Sequence, residues 1–325
     1  MGLVGPKEWP TEAKFCAFMV AVLLGFSAAY RLPLRLPAAD GAAFVGIHYL
    51  VPLIGVVVVA GFAAFGCRSD VRPLLMALFC YAVVLFVHFH LKLWAPLINP
   101  HSYDHTYWAI DQRFRPLVDA CRSVRKALLP IVPYEMNLYM HGFILLFYVS
   151  FCYHALRTPA VFRMLFLTIL FIQGLGALAY LIMPALGPFV FEQGLNPHIT
   201  EAQRYMIGVH DQISAGGADW LSGNEGRVLI AGLGAMPSLH VGSSFVFLFF
   251  AARHGRVLLP IYVPLFAYIV INSVASRWHY LIDLPAGLAL ASLCIWLARR
   301  CTLAAVPKPG LVISPAGVPE GALAT

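Results

Sequence analysis

The chain has 325 residues, of which 60% are hydrophobic and 11% are charged, and its formal net charge is +7. Soluble domains carry roughly a quarter charged residues, so this composition excludes a disordered chain and argues against a soluble enzyme. Because Lys and Arg collect on the cytoplasmic loops of membrane proteins, the positive charge indicates membrane topology rather than nucleic-acid binding.

Long apolar stretches recur along the chain. A transmembrane helix needs about 20 apolar residues. We expect residues 1–98 to form N-terminal spans, residues 99–300 a catalytic membrane core and residues 301–325 a flexible cytoplasmic tail. The sequence predicts an all-α, polytopic transmembrane helix bundle. The eight candidate spans are residues 14–30, 43–66, 73–98, 135–156, 160–186, 236–252, 257–275 and 279–298.

Basic residues in the short loops orient this bundle. Since cytoplasmic loops are enriched in Lys and Arg, the side that collects them is predicted to be cytoplasmic. The longer polar segments, 99–134 and 187–235, then fall on the extracytoplasmic side. The basic groups on the cytoplasmic side are Arg68 with Arg72, Arg157 with Arg163, Arg253 with Arg256, and Arg299 and Arg300 with Lys308, together with Lys7 and Lys14.

Residues 107–128 have the pattern of a basic amphipathic helix. Apolar residues recur at spacings of three and four, and basic residues lie between them. Such a helix fits the headgroup layer of a bilayer, which is its predicted position; the alternative is a loop helix packed on the bundle. The basic residues are Arg113, Arg115, Arg122, Arg125 and Lys126.

Residues 187–235 are rich in glycine and polar residues and separate the fifth predicted span from the sixth. A connection of this length is uncommon in a compact domain unless it has a function. We therefore predict an extracytoplasmic loop that covers a site.

Two histidine-containing clusters open the sixth and eighth spans. Residues 234–240 read Gly-Ala-Met-Pro-Ser-Leu-His, and residues 279–287 read His-Tyr-Leu-Ile-Asp-Leu-Pro-Ala-Gly. Ionisable side chains are costly inside a bilayer, so such residues mark a functional site by default. Because the sixth span leaves one face of the membrane and the seventh returns to it, both clusters are expected at the same face.

The spacing of His279 and Asp283 predicts a hydrogen-bonded pair, since residues four apart share one face of a helix. A carboxylate at one ring nitrogen selects the tautomer and stabilises the imidazolium. The other nitrogen is then available as a nucleophile or base.

The first cluster predicts an anion site. Pro237 is compatible with the first turn of a helix, where the N–H groups of Ser238 and Leu239 would be free and the Ser238 hydroxyl would add a donor. Together with His240 and His279, this arrangement favours phosphoryl transfer through a covalent phosphohistidine. A zinc site is the less favoured alternative, because it would need a third protein ligand beside the two histidines. Asp283 could serve as that ligand, but we expect no metal and no other cofactor.

These clusters resemble the Pro-Ser-x-His and His-x3-Asp signatures of the type 2 phosphatidic acid phosphatase superfamily. They are most similar to its inositol phosphorylceramide synthase-like branch, as is the segment 180–188, and the similarity covers roughly residues 105–297. The resemblance implies a six-helix phosphatase-type core. It also implies a lipid substrate from the bilayer, with a polar acceptor or water as the second partner.

The resemblance assigns roles to four residues. His279 resembles the nucleophile that takes the phosphoryl group, and Asp283 resembles its charge partner. His240 resembles the general acid that protonates the leaving oxygen and then the base that activates the acceptor. Ser238 resembles a residue that contacts the phosphate.

The basic residues of the family's phosphate site are not matched. The first signature, Lys-x6-Arg-Pro, has no counterpart at Arg115-Pro116, and Asn272-Ser273 replace the Ser-Arg pair that classically precedes the third signature. We place Gly234 and Arg277 in the predicted phosphate site. The basic residues that are candidates for binding the phosphate are Arg277, Arg113, Arg115 and Arg204.

The other histidines are expected to be structural. His88 and His90 are two residues apart in the third span and face different sides of a helix. The residues that are candidates for the rim of a substrate entrance are His101, Asp104 and His105.

The sequence thus predicts an integral membrane lipid phosphotransferase or phosphatase. Transfer of a phospho-headgroup to an alcohol and hydrolysis of a lipid phosphate by water are both left open. A non-catalytic lipid transporter or lipid-binding protein is the alternative from another class.

Overall fold

A computed structural model describes residues 9–36, 72–229 and 233–304. These ranges are helical without a β-strand, so the all-α prediction is confirmed. The helices, in chain order, are α1 (Thr11–Tyr30), α2 (Arg72–Ile98), α3 (Asp104–Arg113), α4 (Arg115–Ala127), α5 (Leu138–Arg157), α6 (Pro159–Ile182), α7 (Pro197–Val228), α8 (Leu239–His254), α9 (Leu259–Ala275) and α10 (Asp283–Ala304). Short 3-10 turns at Tyr134–Met136, Pro188–Val190 and Arg256–Leu258 precede α5, α7 and α9.

Within the described ranges, six helices are long and apolar enough to cross a membrane: α1, α2, α5, α6, α9 and α10. The chain is therefore an integral membrane helix bundle. The predicted span at 43–66 lies outside the described residues. The predicted span at 236–252 corresponds to α8, whose 16 residues extend about 24 Å, less than the roughly 30 Å of a bilayer's hydrocarbon core.

Helix α6 lies at the centre of the bundle. Its sequence is apolar on all sides, as expected for a helix surrounded by protein, and it packs against α1, α2, α5, α8 and α10. Helix α8 packs in turn against α5, α6, α9 and α10. The segments that carry the two histidine clusters are therefore neighbours in space.

Two glycines let α8 and α10 approach closely beside these clusters. A Cβ atom on Gly287 would lie 2.3 Å from the backbone oxygen of Ser238, and one on Gly242 would lie 2.7 Å from the backbone oxygen of Gly287. Carbon and oxygen atoms do not pack that closely, so a side chain at either position would push the helices apart. The first turns of α8 and α10 are held together at this crossing.

The amphipathic segment forms two helices instead of the single predicted one. Helix α3 ends at Arg113 and α4 begins at Arg115, with the break at Phe114. Pro116 follows at the start of α4, where its missing N–H costs no helical hydrogen bond.

Helix α4 packs against α9, in agreement with the alternative of a loop helix on the bundle. Its Arg125 is buried, and the Nε atom donates to Asn272 Oδ1 at 3.0 Å. On the same segment, Phe114, Leu117 and Val124 remain exposed. These apolar side chains suit a headgroup layer, and the interfacial position stays a prediction.

The predicted loop at 187–235 is largely helical. Helix α7 occupies Pro197–Val228 and is interrupted at Gly217, whose backbone angles (φ 59°, ψ −149°) are not helical. It packs against α2, and Ile199 and Met206 form part of a cavity wall. The segment therefore covers a cavity with a helix rather than with an irregular loop.

Candidate active site

His279 and Asp283 lie at the junction of α9 and α10. Residues 276–282 form a turn, and Asp283 is the first residue of α10. The prediction that both residues share one helix face is therefore wrong, although the side chains do meet, with His279 Nδ1 at 3.3 Å from Asp283 Oδ2. The same oxygen accepts the N–H of Tyr280 at 2.8 Å, which holds the carboxylate in place.

The hydrogen bonds of His279 select one tautomer. Its Nδ1 lies 2.9 Å from the backbone oxygen of Ala235. Because a carbonyl oxygen can only accept, Nδ1 carries the proton and Nε2 keeps its lone pair. Burial lowers the pKa of the His279 imidazole to about 3, and the positive charge of Lys92 contributes to this shift. The ring is therefore neutral at physiological pH, the state in which its nitrogen is nucleophilic.

His240 is the second residue of α8. Its ring packs against Tyr139 and Phe143 of α5, at centroid distances of 5.2 Å and 4.8 Å. In the part of the chain that the structure describes, no group forms a hydrogen bond with its buried Nε2. A buried polar atom without a partner is costly, so this nitrogen is available to a ligand.

Ser238 is the N-cap of α8. Its hydroxyl accepts the N–H of Val241 at 3.4 Å, and its own N–H donates to the backbone oxygen of Asp283 at 3.0 Å. The Ser238 amide was predicted to be free for an anion. It is instead engaged in a hydrogen bond that joins the starts of α8 and α10. Because the helix begins at Leu239, Pro237 lies before the cap and not in the first turn.

His240 and His279 line the same cavity, whose volume is about 130 Å³. Lys92 and Gly234 lie on its wall as well. Such a cavity suits an amphiphilic ligand whose polar group lies at the histidines. The apolar part of the wall is formed by Leu85, Phe89, Met140, Phe143, Ile199, Met206 and Leu239.

Lys92 is a candidate that the predicted motifs did not include. It lies on α2 with its Nζ 4.9 Å from the centroid of the Tyr180 ring, and no carboxylate among the described residues forms an ion pair with it. A half-buried cation without a counter-ion among the described residues favours an anionic ligand. A signal was present in the sequence, because Lys92 precedes Asn99-Pro100 with the spacing of Lys-x6-Arg-Pro, and Asn stands in place of the Arg.

Gly234 lies between the histidine cavity and a neighbouring cavity of about 190 Å³. Its backbone has φ +155°, and a Cβ atom there would lie 3.0 Å from the Tyr180 ring and 3.1 Å from Lys92 Cε. A side chain at this position would therefore displace Lys92. Arg113 and Arg204, two of the predicted phosphate-gripping residues, have exposed side chains and do not line the histidine cavity.

Arg277 lies in the same turn as His279 but not on the cavity wall. Its side chain is 0% exposed, its Nη2 donates to Asp111 Oδ2 at 2.8 Å, and its Nε lies 3.4 Å from Glu192 Oε2. Arg115 and Arg122 also pair with Glu192. Burial raises the pKa of the Glu192 carboxyl, but these arginines outweigh it and hold the pKa below its ordinary value. A phosphate held by Arg277 or Arg115 would compete with these carboxylates.

The histidines expected to be structural and the predicted rim residues lie at different positions relative to the two cavities. His88 lines the histidine cavity and its Nδ1 lies 2.9 Å from the backbone oxygen of Gln173, whereas His90 bonds back to its own helix. Among the predicted rim residues, His101 and Asp104 line the neighbouring cavity. Within the described ranges there is no group of three or more His, Cys, Asp or Glu side chains that could hold a metal ion.

Comparison with known proteins agrees with this geometry. The model of the PAP2 superfamily matches residues 132–297, just over half of the chain, and this region contains His240, His279 and Asp283 but not Lys92. No curated protein and no solved structure is significantly similar to the chain. The matched region contains both histidine clusters and the helices that bring them together. The chain therefore belongs to the PAP2 superfamily.

Proposed function

We propose that the protein is a lipid phosphotransferase that forms a phosphohistidine on His279 and passes the phospho-headgroup to an alcohol. One observation carries the proposal: His279 Nδ1 is engaged by the Ala235 backbone oxygen, which leaves Nε2 as the nucleophile in a cavity shared with His240 and Lys92. The motifs favour the inositol phosphorylceramide synthase-like branch of the superfamily, and the apolar cavity wall favours a lipid donor.

In the first half-reaction, the Nε2 lone pair of His279 attacks the phosphorus of the lipid donor. A P–N bond forms as the P–O bond to the lipid alcohol breaks, and His240, which is protonated when the anionic donor is bound, gives its proton to the leaving oxygen and becomes neutral. Asp283 lies beside the ring and stabilises the positive charge that develops on it. Lys92 faces the phosphate oxygens and offsets their negative charge.

In the second half-reaction, the hydroxyl of an acceptor alcohol attacks the phosphohistidine. His240 takes the proton of that hydroxyl, the P–N bond breaks and His279 returns to its starting state. Gly234, Leu239 and His240 line the cavity in which the phosphate would bind, whereas Ser238 does not line it and joins α8 to α10. We place this site at the extracytoplasmic face, as the distribution of basic loops indicates.

The test uses purified protein with phosphatidylinositol or phosphatidate, each labelled at phosphorus, with and without ceramide as the acceptor. We expect an acid-labile phosphoenzyme in the native protein and a labelled product that forms only when an alcohol is present. His279→Ala should abolish both. His240→Ala should slow both steps, because each step needs a proton transferred.

Three outcomes would contradict parts of the proposal. Turnover by the His279→Ala variant would overturn the mechanism. Release of water-soluble phosphate without any need for an alcohol would replace the transferase by a lipid phosphatase. Movement of lipid between leaflets that is unaffected by loss of His279, without any turnover, would indicate a transporter.

A further inference from the structure

We propose that α3 is the positioning element of the nucleophile, with Asp104 and Asp111 holding the turn that carries His279. This inference rests on the proposed function only in taking His279 as the nucleophile. Helix α3 lies before residue 132, outside the region that the superfamily model matches. The two carboxylates are seven residues apart on α3, two turns along the same helix face.

Asp111 bonds the turn on both sides of His279. Its Oδ1 accepts the N–H of Leu281 at 2.9 Å, and its Oδ2 accepts from Arg277 Nη2 at 2.8 Å. The side chains of Asp111 and Arg277 are both 0% exposed, so water does not compete for these bonds. One carboxylate therefore fixes the residue two before the nucleophile and the residue two after it.

The backbone of Arg277 explains why the turn needs this support. Its φ is +59°, in the left-handed region that residues with a side chain rarely adopt. The guanidinium lies 5.4 Å from the centroid of the Trp108 ring, also on α3, in addition to its bond with Asp111. The contacts with α3 stabilise a backbone conformation that would otherwise be disfavoured.

Asp104 reaches the nucleophile by two routes. Its Oδ1 accepts the hydroxyl of Tyr280, the residue next to His279, at 2.8 Å. Its two oxygens also accept the N–H groups of Leu186 and Gly187, each at 2.9 Å. Asp104 thereby holds the segment that follows α6.

That segment connects back to the imidazole. The backbone oxygen of Ala185 accepts the N–H of Ala235 at 2.8 Å, and the Ala235 oxygen is the partner of His279 Nδ1. A path of hydrogen bonds thus runs from Asp104 to the ring nitrogen that selects the tautomer. Because a small error in the position of a reacting atom is costly in rate, α3 controls the angle and distance of attack.

The first test is Tyr280→Phe, which removes one hydroxyl and leaves Asp104 bonded to Ser102, Leu186 and Gly187. We expect kcat for the labelled lipid donor to fall by about three- to tenfold, the effect of one lost hydrogen bond, with KM unchanged.

The matched control is Tyr107→Phe. The Tyr107 ring lies 5.7 Å from the Tyr280 ring, but its buried hydroxyl has no hydrogen-bond partner among the described residues. This variant should keep the native kcat. Equal kcat values for Tyr280→Phe and the native protein, or equal losses in the two variants, would overturn the positioning role.

Asp111→Asn is the second test, because it keeps the size of the side chain but removes the charge that faces Arg277. We expect a kcat about 10- to 100-fold lower in the folded fraction, a lower rate of phosphoenzyme formation and an unchanged KM. A loss explained entirely by less folded protein, with native kcat per folded molecule, would show a structural role alone.

Hydrogen exchange separates this inference from the proposed function. In Asp111→Asn, the amides of residues 277–281 should exchange faster than in the native protein, whether or not any lipid reacts. If the native protein forms no phosphohistidine but the exchange changes as expected, the proposed function fails and the hold of α3 on the turn stands. Unchanged exchange in this turn would overturn the inference itself.

Discussion

At the scale of single residues, the chemistry depends on which nitrogen of each histidine is free. The backbone oxygen of Ala235 decides this for His279, since it can only accept a hydrogen bond. The four-residue spacing indicated Asp283 as a partner, whereas Ala235 is 44 positions away in the chain. The spacing of the motif therefore predicted the contact between His279 and Asp283 but not the atom that orients the ring.

The prediction at the scale of single residues concerns Lys92 and its role in binding the phosphate. We expect Lys92→Met to lower kcat/KM by about 10- to 100-fold, because a hydrogen bond between charged groups contributes about 1.5–3 kcal/mol. Lys92→Arg keeps the charge and should recover part of the loss. Initial rates with the labelled lipid donor measure both effects.

Lys126→Met is the control for this prediction, because Lys126 is exposed on α4 and lies away from the histidine cavity. It should have the native kcat/KM. A native value in Lys92→Met would show that this lysine does not bind the phosphate.

At the scale of elements, the site depends on the crossing of α8 and α10. The Ser238 amide bonds the backbone oxygen of Asp283, and Gly242 and Gly287 allow the two helices to touch. The distance between the two histidine clusters is thus set by backbone contacts beside them. These glycines could be noticed in the sequence, but their mutual contact depends on the packing angle of two helices.

Gly287→Ala tests this crossing. The added Cβ would lie 2.3 Å from the Ser238 backbone oxygen, so the helices must separate. Overpacking of this kind typically costs about 1–3 kcal/mol. We expect a lower melting temperature in detergent and a reduced kcat, because His240 moves relative to His279.

Gly208→Ala on α7 is the matched control, since a Cβ atom there meets nothing within 4 Å. Alanine favours a helix more than glycine does, so this variant should melt at or slightly above the native temperature. If Gly287→Ala behaves in the same way, the close crossing is not needed for stability or for turnover.

At the scale of the whole molecule, the two ends of α8 lie about 24 Å apart. One end meets the histidine cavity, and the other leads through Gly255 to the Arg256–Leu258 turn. The basic loops predict that the cavity end is extracytoplasmic.

Cysteine labelling in intact cells tests this orientation. Asp211→Cys on the exposed surface of α7 should react with a membrane-impermeant maleimide. Val257→Cys, at a position that is 72% exposed, should react only after the cells are permeabilised. Labelling of the native protein measures the background from its own cysteines, and the reverse pattern would place the site on the cytoplasmic side.

The amino-acid sequence by itself determined the class of the protein and most helix bounds, and it predicted His240, His279 and Asp283 as the site residues. These features are local, because apolar runs and short motif spacings depend on neighbouring residues. Tertiary structure decided that Lys92 of α2 faces the histidines, that Arg277 is paired with Asp111 and that Ala235 orients His279. Such contacts join segments far apart in the chain, and only the packing of the helices determines which distant side chains meet.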